Sequence, residues 1–74
     1  MSEDSRELAM NMLATMVVHD RAEREGRSFE DVFSEFRRSE TFDALYDPDT
    51  ELWMNGPDYI SEEYDLELER KHKG

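Results

Sequence analysis

His19-Asp20 is the one step in this chain where a base and a carboxylate able to orient it are neighbours. Consecutive residues on a helix do not face one another, so the pair alone makes no catalytic dyad. His19 reads as a polar residue at a helix edge, and His72 sits in a charged tail. There is no cysteine, hence no thiol nucleophile, disulfide or thiolate metal site. No glycine-rich phosphate loop or nucleophile elbow is present either. Asp47, Asp49 and Glu51 have the alternating spacing of calcium ligands. A calcium loop starting at Asp47 needs glycine at its sixth position and a bidentate glutamate at its twelfth. Leu52 and Asp58 stand there instead, and an Asx turn accounts for the same carboxylates. We therefore assign no catalytic, cofactor or metal residue and expect a protein that is not an enzyme.

The carboxylates carry a different message. The net charge is -11 over 74 residues. From Ser39 to Glu69 there are eleven acidic residues and no Lys or Arg. Such a field repels nucleic acid and anionic lipid and attracts basic proteins. Asp58, Glu62 and Glu63 are the candidate acidic face, and they also suit the positive end of a helix that opens at Pro57. The arginines at 21, 24, 27, 37 and 38 are interleaved with acids and neutralise too little phosphate for direct nucleic-acid binding. The functional expectation is a small acidic interaction or accessory protein with a basic protein partner. A nucleic-acid mimic and a purely structural homo-oligomer are the alternatives. The acidic N-terminal stretch lacks a basic signal region, and no apolar run is long enough to span a bilayer, so the expected location is cytoplasmic.

These residues must be held by short helices. A chain of this size forms one small domain of marginal stability. Asp4 and Glu7 have capping-box spacing, which predicts a first helix from there to about Glu25, closed by Gly26. Ser28 caps a second helix whose Phe29, Val32, Phe33 and Phe36 fall on one face. Ser39 caps a short third helix with Phe42, Leu45 and Tyr46, ended by Asp47-Pro48. Pro57 opens a fourth, with Ile60, Tyr64 and Leu68 as its apolar stripe, Tyr59 and Leu66 beside it, and a frayed tail over about 70–74. The expected fold is all-α: a bundle of about four helices, the third short, with a structured loop over 47–56.

The first helix is more apolar than one packing face requires. Leu8, Met10, Met12, Leu13, Met16 and Val17 cover an arc of roughly 200°. Part of that arc is expected to bury against a second copy, with Met10, Leu13 and Val17 in contact across a two-fold axis. The alternative is that this helix is central in a monomer.

The loop holds the single tryptophan, both prolines and an Asn-Gly step. Asn-Gly favours a hairpin, but Pro57 opposes a paired strand on that side. The preferred reading has Trp53 folded as a lid over a core built by helices 2 to 4; an exposed binding hook is the alternative. The run FRRSETFDALYDPDTELWMNGPDYISEEY, Phe36 to Tyr64, resembles a family of short bacterial proteins. Their shared pattern matches Ser39-x-Thr41-Phe42, Leu45-Tyr46-Asp47, Thr50-x-Leu52-Trp53 and Gly56-Pro57-x-Tyr59-Ile60. That family has no established activity. The resemblance covers the C-terminal half and implies an accessory, antitoxin-like role.

Overall fold

Gly26 ends the first helix because its backbone can turn left-handed there, at φ 64°. The Arg27 N–H then reaches back to the Ala22 carbonyl at 3.0 Å, and the Gly26 N–H to Glu23. This is a Schellman closure that satisfies two otherwise orphaned carbonyls. The computed structural model describes residues 2–73, and side chains from residue 5 to 72. Within it α1 spans Ser2–Glu25, α2 Phe29–Arg37, α3 Glu40–Leu45 and α4 Pro57–Lys73. No strand occurs among the described residues, and the architecture is the expected small all-α bundle. Helix α1 already runs at Ser2, ahead of the expected start; the Asp4 side chain lies outside the described ones.

Serines start the next two helices. Ser28 Oγ accepts from the Asp31 N–H at 3.1 Å, and Ser39 Oγ accepts from the Phe42 N–H at 3.0 Å. Each bond satisfies an orphan donor of a first turn. The α1 helix packs against α2 and α4, while α3 lies on α4 and α2. The core is shared by Val17 and Val18 of α1, Val32 and Phe36 of α2, Leu45 of α3, and Ile60 and Tyr64 of α4. Phe36 sits between two edge-on aromatic contacts, with Tyr64 at 5.0 Å and Phe42 at 5.6 Å between ring centroids. This geometry places positive ring edges against negative faces.

One expectation for α4 needs correction. The buried stripe is Ile60, Tyr64 and Glu67, whereas Leu68 is 38% exposed. Glu67 lies three residues after Tyr64, as Leu68 lies four after it, so spacing alone does not choose between them. Helix α4 extends to Lys73, through most of the stretch where a frayed tail is expected; residue 74 lies outside the described residues. Lys71 donates to Glu67 one turn earlier, at 2.7 Å, and ties down the last turns.

The loop over 47–56 is ordered by two single 3-10 turns, Pro48–Thr50 and Leu52–Met54. Asp47 Oδ1 accepts from the Asp49 N–H at 3.0 Å, which is the Asx turn expected of these carboxylates. Between the turns Glu51 is left-handed, at φ 54°. The turn after it buries Leu52 and lies against α1 and α3.

Candidate interaction surfaces

The acidic face is built by α3, the loop and the start of α4. Of the eleven carboxylates from Ser39 to Glu69, all but Asp65 and Glu67 are exposed. Among the described residues no basic side chain lies within ion-pair distance of Asp58, Glu62 or Glu63. All three sit in the first two turns of α4, where the helix dipole favours negative charge. They remain free to meet an external cation.

Asp65 and Glu67 have internal duties instead. Arg21, only 7% exposed, donates to Glu25 at 2.8 Å and to Asp65, and its guanidinium lies 4.7 Å over the Tyr64 ring. This arginine joins α1 to α4 by charge and by cation–π attraction. Glu67, 2% exposed, closes the front of α3. Its Oε1 accepts from the Thr41 N–H at 2.8 Å and the Thr41 hydroxyl at 2.6 Å. Its Oε2 accepts from the Glu40 N–H at 2.9 Å and from Lys71. Burial pushes the carboxyl toward the neutral form. The bonds from Lys71, Thr41 and the two backbone N–H groups outweigh that and hold it down at about 2. Glu67 is thus a structural anion at a helix N-terminus. Sequence reading missed both Arg21 and Glu67, although each lies on the core side of its helical wheel.

The candidate dimer residues divide. Met10 and Val17 are 4% and 2% exposed within the chain's own core, and Leu13 is partly buried against it. Met10 and Val17 are therefore unavailable to a second chain, because α2, α4 and the loop turn already occupy that side of α1. The apolar excess of α1 is real but lies elsewhere. Leu8, Met12 and Met16 are 60%, 56% and 48% exposed, on the face turned away from the core. A shallow groove lined by Asn11, Met12, Thr15 and Met16 runs along it. A second groove, shared by Met16, Val17 and Asp20 of α1 and Pro57, Asp58 and Ser61 of α4, adjoins it at Met16.

Trp53 is neither deep core nor free hook. It is half-buried and packs on the core, with its indole N–H enclosed and without a partner. Arg6 of α1 lies 6.0 Å over its ring. The lid thus closes against α1 as well as α3, not over helices 2 to 4 alone. His19 pairs with Glu23 at 3.5 Å, one turn on, with both side chains exposed, and not with Asp20. No group of three or more metal-ligating side chains is gathered among the described residues. No described helix is long and apolar enough to cross a membrane.

Family models, curated proteins and solved structures offer no match to this chain.

Proposed function

We propose that this chain is a non-enzymatic accessory protein that holds a basic protein partner on its acidic face. The observation that carries this reading is the unequal use of charge. The buried or paired cations Arg21, Arg27 and Lys71 are committed within the chain, while Asp58, Glu62 and Glu63 are exposed and unpaired among the described residues. A field of one sign with no internal counter-charge speeds and orients encounter with a surface of the opposite sign. The resemblance of Phe36 to Tyr64 to short bacterial proteins makes the role antitoxin-like: an acidic cover for a basic effector. A cysteine-free chain suits the reducing cytoplasm.

The test is affinity capture from the native cell with the wild type and with an Asp58→Lys, Glu62→Lys, Glu63→Lys triple variant. All three substitutions are at exposed positions, and circular dichroism checks that helicity is kept. Capture of a basic protein by the wild type, lost in the variant and weakened by salt, is the expected result. A partner that binds both forms equally, or is itself acidic, would overturn the reading.

A further inference from the structure

We infer that Asn55 is a site of spontaneous deamidation, and that the carboxylate it yields extends the acidic face at the start of α4. The chemistry does not depend on the proposed partner; it needs only this chain and water.

An Asn-Gly step lets a backbone nitrogen attack the preceding side-chain amide with little hindrance, because glycine has no Cβ. The chain has two asparagines, and they stand in opposite settings. Asn55 is exposed and lies in no helix, between the Leu52–Met54 turn and α4. Its backbone is extended, at φ -93° and ψ 162°. Its side-chain amide is held only by a long bond, Nδ2 donating to the Leu52 carbonyl at 3.4 Å. Among the described residues the Gly56 N–H donates to no acceptor, so the attacking nitrogen is uncommitted. Asn11 instead lies inside α1 and is followed by Met12, and its side-chain oxygen accepts from the Tyr46 hydroxyl. The helix commits the next N–H and fixes the torsion that attack must turn.

Nothing in the fold calls for glycine at position 56. Gly26 needs its left-handed backbone, whereas the Gly56 φ lies outside that region and a Cβ there would meet nothing within 4 Å. What glycine does supply is an open path to the Asn55 amide.

The step balances with water alone. The Gly56 nitrogen bonds to Asn55 Cγ and gives up its proton, the Cγ–Nδ2 bond breaks, and ammonia leaves a succinimide ring. Water then opens one of the two ring C–N bonds. Cleavage at Cγ gives aspartate in an unaltered chain. Cleavage at the Asn55 backbone carbonyl gives isoaspartate, whose chain runs through Cγ with one added backbone atom. Either product carries one new negative charge.

That charge falls where the fold accepts it. The Gly56 carbonyl accepts from the Ile60 N–H at 3.3 Å, so Asn55 stands one residue ahead of the cap of α4. The positive end of that helix favours a carboxylate there, and Asp58, Glu62 and Glu63 continue the field. The isoaspartate form also lengthens the link between the turn that holds Trp53 and α4.

Incubation of the folded chain at neutral pH and physiological temperature, followed by ion exchange and peptide mapping, tests this. An acidic species should accumulate, with aspartate and isoaspartate both at position 55 and Asn11 intact. Gly56→Ala should keep the helicity of the wild type and convert about tenfold more slowly or less, since a Cβ then hinders the nitrogen. Asn55→Asp should coelute with the aspartate product and show no later shift. The chain unfolded in urea gives the rate of the same step without the fold. An Asn55 that stays intact in the folded chain while the unfolded chain converts overturns the inference. Equal rates at Asn11 and Asn55, or in the wild type and Gly56→Ala, overturn it as well.

Discussion

Helices α1 and α4 each break the rule that apolar residues go inside and charged ones stay out, and they break it in opposite directions. The apolar α1 leaves Leu8, Met12 and Met16 roughly half exposed. The acidic α4 buries Glu67 almost completely. Neither outcome follows from residue type. Burial is decided by which side of a helix its neighbours cover, and by whether a buried polar group finds partners there. Among the described residues, the outer side of α1 is left about half exposed. Glu67 meets the open N-terminus of α3, where N–H groups without helical partners donate to its carboxylate.

The sharpest way to break this comparison is to charge the two sides of α1 in turn. Val17→Glu places an unpaired carboxylate in the core, among Val32, Phe36 and Ile60 of the same cluster. It should cost about 4 kcal/mol or more. A domain of this length has about 4–11 kcal/mol in total, so the variant should lose a third or more of its stability, read as a fall in the urea midpoint by circular dichroism.

Glu67→Gln comes next. Replacing one carboxylate oxygen by an amide NH₂ sets a donor against donors, whichever of Glu40, Thr41 and Lys71 it faces. A loss of about 2–3 kcal/mol in urea denaturation at neutral pH is expected. The pH dependence gives a second reading. Glu67 is held at about 2 in the folded state, below its ordinary carboxylate range. Its contribution is therefore fully present above the unfolded value, near 4.3. It is lost as pH falls from there through the folded value, and amounts to about 3 kcal/mol. Wild type and Glu67→Gln should thus converge in stability toward pH 2. Parallel curves down to that pH would show that Glu67 contributes by shape alone.

Trp53→Ala should cost about 2 kcal/mol, less than for a fully enclosed tryptophan, because the ring is only half-buried. Tryptophan emission of the folded wild type should lie between those of buried and free indole. The smallest effect belongs to Met12→Glu. At a concentration where the chain is monomeric, its urea midpoint should shift by no more than about 0.5 kcal/mol in equivalent stability. A loss as large as that of Val17→Glu would mean that the outer stripe is packed within the monomer, and the contrast between the two sides would collapse.

Local chemistry made most of the helical framework readable. Ser28, Ser39, Gly26 and Pro57 act within a turn of where they stand, so their effect follows from neighbours in sequence. The Asx turn at Asp47 belongs to the same class. The apolar excess of α1 was also legible as a quantity, because periodicity counts apolar residues around a helix without reference to anything else. The acidic face was legible for a similar reason: Asp58, Glu62 and Glu63 are exposed as their charge implies.

What only the tertiary structure decided is which part of each arc meets a neighbour. An arc of roughly 200° admits several dockings of α2 and α4. Met10 and Val17 lie beneath them, while Met12 and Met16 do not. The same holds for Glu67 and Leu68, one residue apart on α4. The choice between them rests on the α3 N-terminus, whose donors come from residues 26 and 27 positions earlier. Arg21 depends in the same way on Asp65, 44 residues away. Such pairings satisfy long-range polar groups, and no pattern within one helix encodes them. Sequence alone thus determined the helices, most of their ends and the charge of the surface. The docking of those helices determined which apolar residues form the core, which acids serve the fold, and which of each are left for other molecules.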